Sequence, residues 1–192
     1  MKQLQFCDRT FKDIPCVLTV GVFDGLHLGH KKILEKCVDV AGKLKAKSVV
    51  VSFNKNPKMF CGTEKEQKPI ISSAEKEKIM EETGVDYHCI IDFSEHISKI
   101  SGEEFIALLC TSYNVKAMVV GSDFKCGNKD SSVGVDQIGK LLSDFTSSAF
   151  LEVVESVSVD GEVVSSSLIR RCLLTGDFGK ASKLLGRPYN LG

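Results

Sequence analysis

Short apolar runs rich in β-branched residues alternate along the chain with longer segments of helical periodicity. Continuous apolar runs of this length are typical of strands buried on both faces of a parallel sheet. The predicted strands are Val17–Phe23, Ser48–Phe53, Tyr87–Asp92, Ala117–Gly121 and Phe150–Val154. The predicted helices between them are Gly29–Leu44, Ser73–Glu82, Glu103–Tyr113 and Asp136–Phe145. This order predicts an α/β fold with a doubly wound parallel sheet, which binds ligands at the carboxyl ends of its strands.

The pattern changes after the fifth predicted strand. Asp160-Gly161 separates the β-rich segments Glu155–Val159 and Glu162–Val164, and therefore predicts a hairpin with a tight turn. Two short helices are predicted after it, Ser167–Leu174 and Phe178–Leu185. We expect this small hairpin and helical segment to belong to one domain spanning residues 1–192, a length that suits a single core.

Two helix starts carry the spacing of a capping box, Ser72 with Glu75 and Ser101 with Glu104. The segment Asn54–Ile71, in contrast, shows no periodicity and contains two prolines and a glycine. A loop of this length is more often a functional flap than a bare connection.

Composition narrows the function classes. The chain has 25 basic and 25 acidic residues and no basic cluster, which makes nucleic acid a poor candidate partner. No apolar leader or membrane span is evident, so we expect a cytoplasmic protein without membrane contact, and no obligatory protein partner is indicated. Eight cysteines occur without a C-x-x-C pair, which favours buried reduced thiols and implies no zinc site.

The turn before the first predicted helix concentrates candidate chemistry. Residues Gly21–His30 contain three glycines and two of the four histidines. Glycine lets a backbone approach an anion, and the free N–H groups of a helix N-terminus donate to it. With His27 and His30 as further donors, this turn predicts a nucleotide phosphate site. The alternative is that one histidine only caps the helix or packs against it.

These residues carry a family resemblance. Gly21–His30 resembles the G-x-F-D-G-x-H-x-G-H form of the H-x-G-H signature that bacterial FAD synthetases, members of the nucleotidyltransferase superfamily, contain. Four later segments resemble further motifs of that family in the same order: Ser52–Pro57, Val119–Phe124, Ser165–Arg170 and Leu184–Tyr189. The resemblance implies a Rossmann-like nucleotidyltransferase fold and a single FMN adenylyltransferase domain, which makes FAD and pyrophosphate from FMN and ATP. In the family a riboflavin kinase domain follows the last motif; the sequence lacks it, so we expect no kinase activity.

The resemblance also implies site residues. The expected ATP-binding residues are Gly21, Val22, Phe23, Gly25, His27, His30, Gly121, Ser165, Ser166 and Arg170, of which His27, His30 and Arg170 are expected to be catalytic. The two serines would donate to phosphate, and Arg170 would clamp the β- and γ-phosphates with its planar fork. The alternatives are that the serines only cap a helix and that Arg170 pairs structurally with a carboxylate. Mg²⁺ is expected to arrive with ATP, without a protein metal site.

On the flavin side the resemblance implies Phe53, Asn56, Pro57, Asp123 and Phe124 as binding residues. Phe124 would stack on the isoalloxazine ring and Asp123 would accept a hydrogen bond from the flavin. The alternatives are a core phenylalanine and a helix-capping aspartate. The chain departs from the family motifs at Asn56, Cys126 and Leu168. Most of these departures lie on the flavin side of the site or at its rim.

Two other functions remain open. One is a nucleotidyltransferase acting on a different phosphorylated small molecule, such as phosphopantetheine or glycerol phosphate. The other is a non-catalytic flavin or nucleotide sensor. The intact histidines and Arg170 speak against a pure binder, because binding alone does not require groups that stabilise transition-state charge.

Overall fold

The structure is a computed structural model, and it describes residues 1–5, 11–54 and 68–189. Two predicted flavin-binding residues, Asn56 and Pro57, lie outside these ranges, as does most of the predicted flap.

A six-stranded sheet with the order β1-β4-β3-β2-β5-β8 forms the centre of the fold, and all of its neighbouring strands are parallel. Its strands are β1 (Lys2–Gln5), β2 (Pro15–Val20), β3 (Lys47–Phe53), β4 (Tyr87–Ile91), β5 (Asn114–Gly121) and β8 (Phe150–Val154). The five predicted strands are confirmed to within a few residues. The edge strand β1 was not predicted, because its four residues include only one large apolar side chain, that of Leu4.

Helices cover both faces of the sheet, as the doubly wound prediction requires. They are α1 (Leu28–Leu44), α2 (Ser73–Glu82), α3 (Glu95–Lys99), α4 (Gly102–Ser112), α5 (Val135–Phe145), α6 (Ser166–Leu174) and α7 (Phe178–Leu185). On one face, α4 and α5 bury Ile106 and Ile138 against alternate strand residues such as Leu18. On the other, α1, α2, α6 and α7 share a core around Leu34 and Met80.

The short elements differ most from the sequence prediction. The five-residue helix α3 and the small hairpin of β6 (Lys125–Cys126) and β7 (Val133–Gly134) were not predicted. The predicted second hairpin is confirmed as β9 (Ser158–Val159) and β10 (Glu162–Val163). Its turn residues Asp160 and Gly161 have φ angles of 52° and 82°, the left-handed pair that a tight hairpin turn needs.

One of the two predicted capping boxes is complete. Ser101 accepts from the N–H of Glu104, whose carboxylate accepts from the N–H of Ser101. Ser72 caps α2 by accepting from the N–H of Glu75, but the carboxylate of Glu75 binds Arg187 instead. The second box was therefore wrong, since a long-range partner outcompetes the local one.

The sheet order places the switch point between β2 and β5. The chain proceeds outward from β2 to β3 and β4, then returns to β5 and continues to β8. Gly21 follows β2 and Gly121 ends β5, so the two predicted nucleotide-binding segments meet at the crevice where such sheets bind ligands. Among the described residues, none of the helices is long and apolar enough to cross a membrane.

Candidate active site

The turn between β2 and α1 has an unusual backbone. Phe23, Gly25 and Leu26 have φ angles of 50°, 81° and 39°, and two of these residues carry side chains that disfavour the left-handed region. Phe23 and Leu26 are both buried, so packing compensates for the strain. The side chain of Phe23, one of the expected ATP-binding residues, lies in the core, so its backbone is the part that can face a ligand.

Asp24 ties this turn to two distant elements. Its carboxylate accepts from the N–H of Ile70 at 2.9 Å and forms an ion pair with Arg170 on α6. Its carbonyl oxygen accepts from the hydroxyl of Ser166 at 2.8 Å. Asp24 was not singled out in the sequence, because its partners lie 46 to 146 residues away.

Arg187 is the second anchor of the turn. Its guanidinium donates to the carbonyl oxygens of Gly25 and Leu26, at 2.8 and 3.0 Å, and to the carboxylate of Glu75 at 3.3 Å. The family motif Leu184–Tyr189 contains Arg187, but the motif alone did not indicate that this side chain holds the turn.

The two histidines stack on each other at the start of α1. Their ring centres are 3.7 Å apart with an angle of 16° between the planes, and the ring of Phe23 packs edge-on to His30. His27 is the N-cap of α1, because its Nδ1 accepts from the backbone N–H of His30 at 3.3 Å. His27 therefore does cap the helix, as the alternative interpretation of one histidine predicted. This role leaves the ring proton on Nε2, where His27 can still donate to a ligand.

Burial keeps both rings uncharged at neutral pH. It lowers the pKa of His27 to about 4, and it lowers the pKa of His30 well below the usual value, helped by the neighbouring His27. The Nδ1 of His30 is buried without a hydrogen-bond partner among the described residues, which favours the tautomer with its proton on Nε2. The site thus offers two neutral N–H donors beside the helix N-terminus.

These shifted pKa values predict a pH-dependent stability. Three of the four histidines, His27, His30 and His88, have folded-state pKa values below 6.5, and burial lowers that of His88 to about 4. Between pH 6.5 and 4 the unfolded chain takes up protons that the folded chain excludes, so the stability present above pH 6.5 falls as the pH falls. A histidine pKa lowered from 6.5 to about 4 corresponds to roughly 3 kcal/mol of stability at neutral pH.

Urea unfolding at several pH values measures this dependence. Between pH 4 and 6.5, we expect His88→Gln to reduce the slope of unfolding free energy against pH by the equivalent of one bound proton, about 1.4 kcal/mol per pH unit. Identical slopes for the wild type and His88→Gln would contradict the assignment.

In the second predicted phosphate segment, Ser165–Arg170, several side chains already have hydrogen-bond partners within the protein. Ser165 caps α6 by accepting from the N–H of Leu168 at 3.2 Å, and the hydroxyl of Ser166 is committed to Asp24. The hydroxyl of Ser166 therefore has an acceptor within the protein, and the role of the two serines as phosphate donors stays a prediction. The guanidinium of Arg170 pairs with Asp24, as its structural alternative requires, but its Nε is buried without a hydrogen-bond partner among the described residues.

An apolar cavity of about 150 Å³ opens beside the carboxyl ends of β2 and β3. Two predicted flavin residues, Phe53 and Phe124, line it, and both also pack against the core. Cys126, where the chain departs from the family motif, also lines it, and its other apolar side chains, which the sequence analysis missed, are Val20, Phe93, Ile97, Ile100 and Phe105. Gly127 closes one wall, where a Cβ would lie 2.2 Å from the backbone nitrogen of Gly102.

Asp123, the remaining described residue of the predicted flavin set, is exposed. Its carboxylate raises the pKa of His27, although burial outweighs this effect. Asp123 therefore lies within electrostatic range of the histidine pair, next to Phe124 in the cavity wall.

No group of three histidine, cysteine, aspartate or glutamate side chains in the described part of the chain is placed to hold a metal ion. Within that part, free thiols are found at Cys16, Cys37, Cys110, Cys126 and Cys172.

Comparison with known proteins identifies relatives of this chain. The bifunctional riboflavin kinase/FMN adenylyltransferases of Bacillus subtilis and Pseudomonas fluorescens are 31% and 32% identical to the chain, over 174 and 183 residues. These alignments cover 90% and 92% of this chain but 54% and 56% of the relatives, so the chain spans about half of their length.

A crystal structure described as a macrolide-efflux protein from Streptococcus pneumoniae matches 98% of this chain and 60% of its own. Its TM-score is 0.81 at 26% identity. The profile of the FAD synthetase family matches residues 10–168, which include the strained turn, the histidine pair and the N-terminus of α6. The chain therefore belongs to the FAD synthetase family.

Proposed function

We propose that this protein transfers the adenylyl group of ATP to FMN, giving FAD and pyrophosphate. The observation that carries the proposal is the pair of neutral histidine donors at the N-terminus of α1, close to an aromatic cavity at the same edge of the sheet. The first feature suits a reacting phosphate and the second suits a flat aromatic ring. The names and coverage of the relatives support the same reaction.

The reaction needs positioning and charge stabilisation more than proton transfer. The phosphate of FMN is largely a dianion at pH 7, since the second pKa of a phosphomonoester is about 6, and it can attack without a general base. One of its oxygens forms a bond to the α-phosphorus of ATP, and the bond from that phosphorus to the bridging oxygen of the β-phosphate breaks. Pyrophosphate leaves with the electron pair.

His27 and His30 would act on the α-phosphate. Their Nε2–H groups and the N–H groups at the start of α1 would bind its non-bridging oxygens. Because both imidazoles are neutral before ATP binds, they act as fixed hydrogen-bond donors and not as acids.

The flavin would enter the apolar cavity. Phe53 and Phe124 offer aromatic faces to the isoalloxazine ring, and Phe105 lies beside Phe53 with ring centres 6.3 Å apart. The nearby Asp123 remains available to accept a hydrogen bond from the flavin.

Mg²⁺ would be part of the nucleotide substrate. The described residues provide no cluster of ligating side chains, so phosphate oxygens and water would supply its ligands. A cytoplasmic setting, where ATP is abundant, also remains a prediction.

Incubation with ATP and Mg²⁺ and either FMN or riboflavin tests the function. We expect FAD and pyrophosphate in equal amounts from FMN, and no FAD from riboflavin, because riboflavin lacks the attacking phosphate. Separation of the flavins by chromatography measures the products. Failure to form FAD, or preferential use of phosphopantetheine or glycerol phosphate over FMN, would contradict the proposal.

A further inference from the structure

Lys76 contacts the turn that precedes the histidine pair, and no carboxylate among the described residues forms an ion pair with it. It is the fourth residue of α2, and its Nζ donates to the carbonyl oxygen of Val22 at 2.9 Å. An ammonium group has three donors, and among residues 1–5, 11–54 and 68–189 this is the single hydrogen bond that Nζ makes. Two N–H groups are therefore available to a ligand while Val22 keeps the ammonium in place.

The charges around Lys76 leave the site electropositive. Burial lowers the pKa of Lys76 and the carboxylate of Asp24 partly offsets this, but that carboxylate is already held by Arg170 and by the N–H of Ile70. Burial lowers the pKa of His30 and of His88, and the positive charge of Lys76 lowers both further, so its ammonium lies within electrostatic range of the two rings. Among the described residues the half-buried ammonium of Lys76 thus has no carboxylate within ion-pair distance, an arrangement that suits an anionic ligand.

We propose that Lys76 is a catalytic residue, whose ammonium binds a non-bridging oxygen of the α-phosphate of ATP beside His27 and His30. This inference rests on the proposed adenylyl transfer. Val22 belongs to the same turn as His27, so the hydrogen bond from Lys76 directs its charge to the place where the histidines donate. Arg170, by contrast, is held at Asp24, on the side of the turn that faces α6.

A catalytic role for Lys76 and a role in ATP binding alone predict different effects on kcat and on the Kd for ATP. In the transition state both the entering and the leaving group carry negative charge around the α-phosphorus, and a fixed cation offsets it there more than in the ground state. Loss of the cation should therefore lower kcat while the Kd for ATP changes little.

Lys76→Met tests the proposal, with Lys78→Met as the matched control on the exposed face of the same helix. We expect Lys76→Met to lower kcat for FAD formation by about a hundredfold, with the Kd for ATP, measured by calorimetry without FMN, within about threefold of wild type. Lys76→Arg keeps the positive charge, and its kcat should be about tenfold higher than that of Lys76→Met. Lys78→Met should match the wild type in kcat, in the Kd for ATP and in Tm.

The outcomes separate this inference from the proposed function. A wild type that makes no FAD would overturn both. A wild type that makes FAD, together with a Lys76→Met kcat within about threefold of it, would overturn only the role of Lys76. A loss of activity accompanied by a large fall in Tm, and not recovered by Lys76→Arg, would also overturn it by showing a structural role.

Discussion

Replacing His30 with alanine is expected to lower kcat for FAD formation by about a hundredfold or more. The physical reason is that its neutral Nε2–H donates most strongly to the α-phosphate in the transition state. The Kd for ATP should therefore stay within about threefold of the wild-type value. Steady-state kinetics with FMN and ATP, combined with calorimetric titration of ATP alone, measures both quantities.

His27 needs a different substitution because it also caps α1. Asparagine can accept from the N–H of His30 as the Nδ1 of His27 does, but it lacks the Nε2–H donor. We expect His27→Asn to keep Tm within a few degrees of wild type and to lose a similar factor in kcat. His96→Asn, at an exposed histidine on α3, is the matched control. If His27→Asn and His30→Ala both retained kcat within about threefold of wild type, the two histidines would not be transition-state donors.

The second large effect is expected at Arg170, where conservative replacement with lysine should raise the Kd for ATP by about tenfold or more. A guanidinium can hold Asp24 with one nitrogen and present its other donors to the β- and γ-phosphates, whereas an ammonium cannot span both. The Kd for FMN, measured without ATP, should barely change. The matched control is Arg171→Lys, at the exposed neighbour that pairs with Glu162.

In the structural alternative, the role of Arg170 is to hold the turn through its ion pair with Asp24. If Arg170 only fixes the turn, Arg170→Lys should lower Tm and weaken ATP and FMN together. Equal weakening of both ligands with a lowered Tm would therefore reject the phosphate clamp. Loss of ATP binding alone, at an unchanged Tm, would support it.

The helices and strands that form the core could be predicted from the sequence alone. The strands were predictable because runs such as Ser48–Phe53 are buried on both sides and need no partner information. The strand β1 and the helix α3 were missed since each is short and depends on its neighbours for stability. The position of the histidine pair followed from a local rule, in which glycines between a strand and a helix expose backbone donors.

The site residues that the sequence analysis did not predict depend on partners that are distant in the chain. Asp24, Lys76 and Arg187 act through partners 46 to 162 residues away in the chain, and no local pattern indicates such contacts. The aromatic residues Phe93 and Phe105 were missed for another reason. They line the cavity while also packing as core residues, and hydrophobic periodicity does not distinguish these two roles.

The central claim is that this site transfers the adenylyl group of ATP to FMN, and the fate of the phosphorus atoms tests it most directly. Wild-type protein and His30→Ala are each incubated with FMN and ATP labelled at either the α- or the γ-phosphorus. The account predicts that α-label enters FAD, that γ-label appears only in pyrophosphate, and that His30→Ala slows both by about a hundredfold. Absence of α-label from FAD, or equal rates of labelling in the two proteins, would contradict it.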